Sequence, residues 1–166
     1  SGIGSAAIQI AKQQGAKVIT TVGSDEKMQK VKQLEADFIV NHYHENWYKD
    51  VKKYIGKKGI DVVFEHVGEK TWHYSLRFLN RGGRIVTCGA TTGSEVNINL
   101  RHLFMKQQTI LGSTMSDLDS FKIVINNINK KLYNPFIDRV YNISDIKEAH
   151  NRLENSQQSG KIVLKI

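Results

Sequence analysis

The sequence has few of the residues that mark secreted, disulfide-bonded or membrane-spanning proteins. Its single cysteine, Cys88, excludes an intrachain disulfide and a cysteine-based zinc site. No apolar run approaches the roughly 20 residues that a membrane helix needs, and no apolar leader follows a charged start. From these absences we expect a cytoplasmic protein without a membrane partner.

Proline is equally rare, and the charge is biased toward one sign. Pro135 is the only proline among 166 residues, of which 40% are hydrophobic and 24% charged, as in an ordinary globular domain. The net charge of +8 comes from lysines spread over several predicted elements. Basic charge without a motif that reads bases is weak support for nucleic-acid binding, so nucleic acid is not expected as the main ligand.

A glycine-rich turn at the start of the sequence reads G-x-G-x-x-A, formed by Gly2, Gly4 and Ala7. An amphipathic helical stretch follows it. This pattern is typical of the turn that holds a dinucleotide pyrophosphate at a helix N-terminus. Such a turn usually follows a buried strand, so we expect the first strand of the sheet to be lacking in this chain.

Strand-like and helix-like segments then alternate along the chain. The pattern predicts strands at residues 18–22, 37–41, 60–65, 84–88 and 109–113. Short strands separated by helices predict an α/β fold with a doubly wound parallel Rossmann sheet that lacks its first strand. In the strand order 3-2-1-4-5-6, the lacking strand is the central one.

The character of the sequence changes after Asn134 and Pro135. We therefore divide the chain into an N-terminally truncated nucleotide-binding domain, residues 1–133, and a tail segment, residues 134–166. The last stretch, residues 161–166, is predicted to be a strand without a neighbour. We hypothesise that this strand fills the central place in the sheet.

The loops at the carboxyl ends of parallel strands should line one crevice with the glycine turn. The place for a ribose-binding acid, about 20 residues beyond the turn, is held by Val22 and Gly23. Because no carboxylate stands there to repel a 2′-phosphate, and Ser24 and Lys27 are close, NADP(H) is favoured over NAD(H). Lys27 is equally well explained as a solvated lysine of a helix.

Several segments, all in the same order, resemble the medium-chain dehydrogenase/reductases. They read S-G-I-G-S-A-A-I-Q-I-A-K, V-I-T-T-V-G-S-D-E-K, G-I-D-V-V-F-E-H-V-G, G-G-R-I-V-T-C-G-A-T-T-G, I-L-G-S-T-M and S-G-K-I-V-L-K-I. Together they are similar to the cofactor-binding domain of quinone oxidoreductases and zinc-type alcohol dehydrogenases, and the resemblance covers nearly the whole chain.

The resemblance implies a two-domain enzyme of which this chain holds one part. In the family a GroES-like catalytic domain precedes the Rossmann domain, and the C-terminal tail, here residues 134–166, returns to it. The resemblance therefore implies that the catalytic domain is absent from this chain, together with any zinc ligands. We expect no catalytic residue and no metal site here, because the six histidines do not supply a converging set of ligands.

The glycine turn, the strand-end loops and the resemblance together predict the contacts of the cofactor. The resemblance implies that His42 lies near the adenosine phosphate, Thr91 near the nicotinamide ribose and Ser113 near the carboxamide. The predicted cofactor-binding residues are Ser1, Gly2, Ile3, Gly4, Gly23, Ser24, Lys27, His42, His66, Val67, Gly89, Ala90, Thr91, Gly112, Ser113 and Thr114.

The leading hypothesis is the cofactor-binding part of an NADP(H)-dependent oxidoreductase. The whole enzyme would move a hydride to or from a carbonyl or an activated alkene of a small-molecule substrate, and the isolated chain would be inactive. By resemblance, the strand from Thr109 to Thr114 joins two subunits into a homodimer. The alternative is a non-enzymatic module that binds nucleotides or RNA. A methyltransferase is disfavoured because Val22 and Gly23 stand where that class typically has an acid.

Overall fold

A computed structural model describes all residues from 1 to 166 and divides them into two compact units. The glycine-turn unit comprises Ser1–Glu45 and Asp117–Ile166, so it joins both ends of the sequence. The middle unit is the continuous stretch Asn46–Ser116. This division differs from the predicted boundary after residue 133, which stays a prediction about domains of the whole protein.

The first part of the glycine-turn unit contains two helices and two strands. They are α1 (Gly2–Gln13), β1 (Ile19–Val22), α2 (Asp25–Lys32) and β2 (Phe38–Asn41). The two strands pair in parallel, with Ile19 opposite Phe38 and Val22 opposite Asn41. Ile8, Val18, Val22 and Val40 are buried apolar residues of this part.

The second part of the glycine-turn unit lies at the C-terminal end of the sequence. Its elements are α6 (Leu118–Asn129), β6 (Ile137–Asn142), a 3₁₀ turn (Ile143–Asp145), α7 (Ile146–Glu154) and β7 (Lys161–Lys165). β7 pairs in parallel with β6, and Tyr141 lies opposite Leu164. The hypothesis that residues 161–166 fill the central place of the sheet is therefore wrong.

A close backbone approach explains why β7 lies beside β6. Gly160 has a φ of +115°, and a Cβ atom at this position would collide with the carbonyl oxygen of Phe136. The next residue, Lys161, donates its N–H to the same oxygen at 2.7 Å. Only glycine allows both this backbone conformation and this contact, so the turn directs the last strand onto β6.

The middle unit carries three parallel strands in the order β3-β4-β5. Its elements are α3 (Trp47–Ile55), β3 (Ile60–Glu65), α4 (Glu69–Phe78), β4 (Leu79–Thr87), α5 (Leu100–Met105) and β5 (Thr109–Gly112). Trp72 and Leu76 of α4 pack with Leu79 and Ile85 of β4 in the core of this unit. Leu79 and Ile85 are 0% exposed, which makes them the most completely buried of these side chains.

Two segments of the middle unit differ from their prediction. A strand was predicted to begin at residue 84, but β4 already begins at Leu79. The pairing jumps from Ile60 opposite Leu79 to Val62 opposite Arg84, so residues 80–83 bulge out of the ladder. No helix was predicted between the strands at 84–88 and 109–113, but α5 begins at Leu100, where Asn99 caps it by accepting from the His102 N–H at 3.1 Å.

The strand pairings agree with the predicted α/β class and its parallel sheet. β1 pairs only with β2, and β3 pairs only with β4. In the predicted order 3-2-1-4-5-6, which counts the lacking strand as strand 1, these are the pairs 2-3 and 4-5. None of the helices is long and apolar enough to cross a membrane.

Candidate functional site

The glycine turn forms the first turn of helix α1. Ser1 is its N-cap, and the Ser1 hydroxyl oxygen accepts from the Gly4 N–H at 2.9 Å. The carbonyl of Ser1 accepts from the Ser5 N–H at 3.1 Å, which closes the first helical turn. The positive end of the helix dipole therefore lies at the predicted phosphate-binding residues.

A lysine from the tail lies directly over Gly2. A Cβ atom placed on Gly2 would lie 2.7 Å from Cε and 3.1 Å from Nζ of Lys161, so the end of this lysine side chain occupies the space beside Gly2. Lys161 adds a full positive charge beside the N-terminus of α1. The sequence analysis missed this residue, although it stands in the family-like segment S-G-K-I-V-L-K-I.

The loops after β1 and β2 meet at Gly23. The His42 N–H donates to the carbonyl of Val22 at 3.0 Å. A Cβ atom on Gly23 would lie 3.3 Å from a ring carbon of Tyr43 and 3.7 Å from Nε2 of His42. Gly23 and His42, which were predicted to share one site, are therefore close together in this unit.

Asp25 contacts the end of β2 and the loop that follows it. Its carboxylate accepts from the Asn41 amide at 2.9 Å and lies 2.9 Å from Nε2 of His44. These contacts, first the Asn41 hydrogen bond and then His44, lower the pKa of Asp25. Asp25 therefore lies in the first turn of α2 and also contacts the end of β2 and the following loop.

Ser24 and Lys27 occupy the start of α2. The Ser24 hydroxyl oxygen accepts from the Lys27 N–H at 3.2 Å, which makes Ser24 the N-cap of α2. The Lys27 ammonium group donates to the carbonyl of Ser156 at 2.5 Å. A phosphate contact of Lys27 would therefore compete with this bond to the loop before β7.

A buried carboxyl group organises the corresponding loops of the middle unit. Glu65, at the end of β3, is 3% exposed. Its side chain accepts from the N–H groups of Val67 at 2.8 Å and Gly68 at 3.2 Å. It also accepts from the hydroxyls of Thr71 at 3.0 Å and Ser75 at 2.6 Å. The sequence analysis missed Glu65, although an acid closing an apolar strand is a recognisable signal.

Two predicted loops of the middle unit are held together by main-chain acceptors. The Thr91 hydroxyl donates to the carbonyl of His66 at 3.0 Å. The Thr92 hydroxyl donates to the carbonyl of Val67 at 2.8 Å, and the Thr92 N–H donates to it at 2.7 Å. A Cβ atom on Gly89 would lie 3.3 Å from the carbonyl oxygen of His66. The structure therefore brings the loops after β3 and β4 together.

His66 is the titratable group of these loops. Burial lowers its pKa below the ordinary value of 6.5, while the Glu65 carboxylate acts in the opposite direction. The neutral imidazole is favoured at this position.

The predicted residues thus fall into two groups that the two units present separately. The glycine-turn unit holds Ser1, Gly2, Ile3, Gly4, Gly23, Ser24, Lys27 and His42. The middle unit holds His66, Val67, Gly89, Ala90, Thr91, Gly112, Ser113 and Thr114.

Comparison with known proteins identifies the family. Residues 2–130 match the family described as zinc-binding dehydrogenase. The chain belongs to this family. The predicted membership of the medium-chain dehydrogenase/reductase superfamily is confirmed by this match and by the relatives that follow.

Relatives with similar sequences and structures are oxidoreductases by name. The chain is 31% identical to quinone oxidoreductase from Homo sapiens, over 98% of this chain and 51% of that protein. It superimposes on an NAD-dependent alcohol dehydrogenase with a TM-score of 0.91 and 37% identity, covering 100% of this chain and 48% of the other. 2-Octenoyl-CoA carboxylase reductase CinF, in complex with NADP and 2-octenoyl-CoA, gives a TM-score of 0.90 and 27% identity over 99% of this chain and 41% of the other. The chain spans about half the length of the curated quinone oxidoreductases that it matches.

The family description mentions zinc, but this chain does not present a zinc site. Within residues 1–166, no group of three or more His, Cys, Asp or Glu side chains is placed to hold a metal ion. The proposed cofactor contacts do not involve a metal ion.

Proposed function

We propose that this chain is the cofactor-binding part of an NADP(H)-dependent oxidoreductase that transfers a hydride to or from a carbonyl or an activated alkene. The names of its relatives, quinone oxidoreductase and alcohol dehydrogenase, support this reaction class. In the proposal, residues 1–133 form the nucleotide-binding domain of the whole enzyme, and residues 134–166 form a tail that joins its catalytic domain.

The observation that carries the proposal is the start of helix α1 with Lys161 beside it. Gly2 and Gly4 leave the backbone accessible, and the Ser1 hydroxyl accepts only from Gly4 in this turn. The helix dipole and the Lys161 ammonium group both favour a bound anion. This arrangement fits the pyrophosphate of a dinucleotide.

Four further side chains would position the cofactor or the loops around it. A bound nicotinamide would supply the hydride donor or acceptor. Ser24 and Lys27 would hold the 2′-phosphate, and His42 would lie near it. Glu65 keeps residues 66–68 in a fixed conformation through its hydrogen bonds, so the loop that would face the nicotinamide ribose does not need to be ordered on binding.

The preference for the phosphorylated cofactor is supported by the absence of an acid at Val22 and Gly23 and by the contacts that hold Asp25 to Asn41 and His44. The test is a fluorescence titration of this chain with NADPH and NADH. Gly23→Asp should weaken NADPH binding roughly ten-fold, because a carboxylate near the 2′-phosphate repels it. Gly23→Asn is the matched control, since it adds nearly the same volume without the charge. Equal losses in both variants would contradict the assignment of the 2′-phosphate.

A variant of Lys161 gives an independent test of the proposed pyrophosphate-binding position. Lys161→Met keeps an aliphatic chain over Gly2 and removes the charge, and should weaken NADPH and NADH by the same factor of roughly ten. Lys165→Met, in the same strand, is the control. No binding of either cofactor to the unmodified chain at millimolar concentration would defeat the proposed function.

We also propose that the whole protein is a homodimer joined through the strand from Thr109 to Thr114. β5 is the end strand of its sheet, and Leu111 within it is 43% exposed. An unpaired apolar edge strand tends to pair with another chain. Light scattering after size exclusion should give a dimer for the unmodified chain and a monomer for Leu111→Lys, whereas a monomer in both cases would contradict the proposal.

A further inference from the structure

The middle unit contains a cavity that none of the predicted cofactor residues lines. Its volume is about 350 Å³, which lies in the range of small-molecule sites. It is bounded by helix α4, by helix α5 and by the segment that precedes α5. The lining residues are His73, Leu76, Arg77, Asn97, Asn99, His102, Leu103 and Gln108.

Basic side chains from α4 and from α5 with its C-cap residue lie at or beside this cavity. His73 and Arg77 are one turn apart on α4, His102 lies on α5, and Lys106 is the C-cap residue of α5. The Lys106 ammonium group donates to the carbonyls of Arg77 at 3.3 Å and Leu79 at 3.0 Å, so it is held at the end of α4. None of the ion pairs of the chain includes these four residues.

The charged neighbours of His102 and Lys106 are basic side chains. Burial lowers the pKa of His102 most, and Lys106, Arg77 and His73 lower it further. Burial also lowers the pKa of Lys106, followed by Lys52 and Arg77. Every charged neighbour that acts on these two groups is a cation, so the cavity attracts an anion and lacks one from the protein itself.

The polar groups of the lining complement such an anion. The side-chain oxygen of Asn99 accepts from the His102 N–H at 3.1 Å, which leaves its NH₂ group to donate to a ligand. Gln108 uses its Nε2 to donate to the carbonyls of Leu76 at 3.2 Å and Leu79 at 3.3 Å. Its Oε1 is buried and has no hydrogen-bond partner in the chain. A buried acceptor without a donor is costly, and a hydroxyl group of a ligand would satisfy it.

We propose that this cavity binds a small phosphate ester that carries a hydroxyl group. The phosphate lies among His73, Arg77 and His102, and the hydroxyl donates to Oε1 of Gln108. Leu76 and Leu103 contact the carbon skeleton. The site is separate from the proposed cofactor site and does not depend on the oxidoreductase assignment.

The binding experiment is an NMR titration of the histidine ring protons with inorganic phosphate and with glycerol 3-phosphate, at an ionic strength held constant with sodium chloride. Phosphate should raise the pKa of His102, because an adjacent anion favours the imidazolium form. Glycerol 3-phosphate should bind more tightly than inorganic phosphate through its hydroxyls. Equal affinities would overturn the role of Gln108, and a His102 response that chloride reproduces would overturn the site.

Variants separate this cavity from general positive charge. Arg77→Gln should weaken glycerol 3-phosphate binding roughly ten-fold, because it removes charged hydrogen bonds. Arg101→Gln is the matched control, since Arg101 is an exposed arginine of α5 that does not line the cavity. If circular dichroism shows that Arg77→Gln does not fold, His73→Gln replaces it with the same expected direction. An equal loss in Arg101→Gln would show a diffuse basic surface and overturn the proposal.

Discussion

The middle unit holds its strand-end loops with one buried carboxyl group from the same stretch of sequence, whereas the glycine-turn unit relies on contacts from the other end of the chain. Glu65 reaches Thr71 and Ser75, which are 6 and 10 residues away. In the glycine-turn unit, Gln9 exchanges two hydrogen bonds with Asn134 across 125 residues.

The two units differ in which part of the sequence holds their predicted cofactor-binding loops in place. The loops of the middle unit can be fixed as soon as β3 and α4 form, because closing a short loop costs little entropy. The glycine turn is fixed only when the tail arrives with Lys161 over Gly2 and Ser156 on Lys27. Changes in the tail should therefore alter the glycine turn and leave the loops after β3 and β4 unchanged.

The largest expected effect comes from removing the buried carboxyl group of the middle unit. Glu65→Ala leaves the N–H groups of Val67 and Gly68 and two hydroxyls without their acceptor, and should reduce the free energy of unfolding by about 3 kcal/mol. Amide hydrogen exchange should speed up at residues 66–71. Glu95→Ala, at an exposed acid of the same unit, is the control and should change stability by less than about 0.5 kcal/mol.

The Glu65→Ala variant also tests whether the loops of the two units are held independently of each other. If the loops of the middle unit depend only on local contacts, Glu65→Ala should leave amide exchange at Gly4 and Lys27 unchanged. Faster exchange at those two positions would contradict the separation.

A smaller effect is expected from the ion pair that fastens the tail. Arg152 donates to Asp138 at 2.6 and 3.1 Å, and the Asp138 side chain is only 4% exposed. Arg152→Ala removes the partner of a buried carboxylate and should cost about 2 kcal/mol, since the arginine itself is partly solvated. Arg139→Ala, at an exposed arginine of β6, is the control.

The pH dependence of this effect identifies Asp138 as its source. The Arg152 hydrogen bond is the main cause that lowers the pKa of Asp138 from 3.8. The stabilisation is therefore complete above about pH 4 and is lost as pH falls through the lowered pKa. The difference between Arg152→Ala and the unmodified chain should shrink below pH 4, and a constant difference would assign the loss to arginine contacts with other groups.

Local signals in the sequence were sufficient to predict most of the elements. The strand at residues 60–65 has the predicted bounds, because its apolar run is closed by Gly59 and His66. Ser24 and Asp117 are short polar side chains before a helical pattern, and each accepts from an N–H three residues ahead; the sequence pointed to Ser24, and to either Ser116 or Asp117.

Contacts that depend on the tertiary fold could not be predicted in this way. Lys161 and Gly2 are at opposite ends of the sequence, and no spacing rule connects them. The wrong hypothesis for residues 161–166 has the same origin, because the Gly160 turn that directs β7 onto β6 depends on the position of Phe136. The assignment of the individual cofactor contacts stays a prediction until the titrations described above are made.

The smallest expected effect concerns the proton of His66 and bears on the middle unit alone. Burial lowers the pKa of His66 below 6.5, so the unfolded chain binds more protons than the folded chain just below this pH. Stability should therefore fall as the solution is acidified from pH 6.5 toward the folded-state pKa, and His66→Asn should remove this part of the pH dependence. His150→Asn, at an exposed histidine of α7 in the glycine-turn unit, is the control.

NMR titration of the ring should give a His66 pKa below 6.5, and Glu65→Gln should lower it further because the opposing carboxylate charge is gone. A value at or above 6.5 would mean that Glu65 outweighs burial, and that the carboxyl group fixes the charge of the loop as well as its conformation.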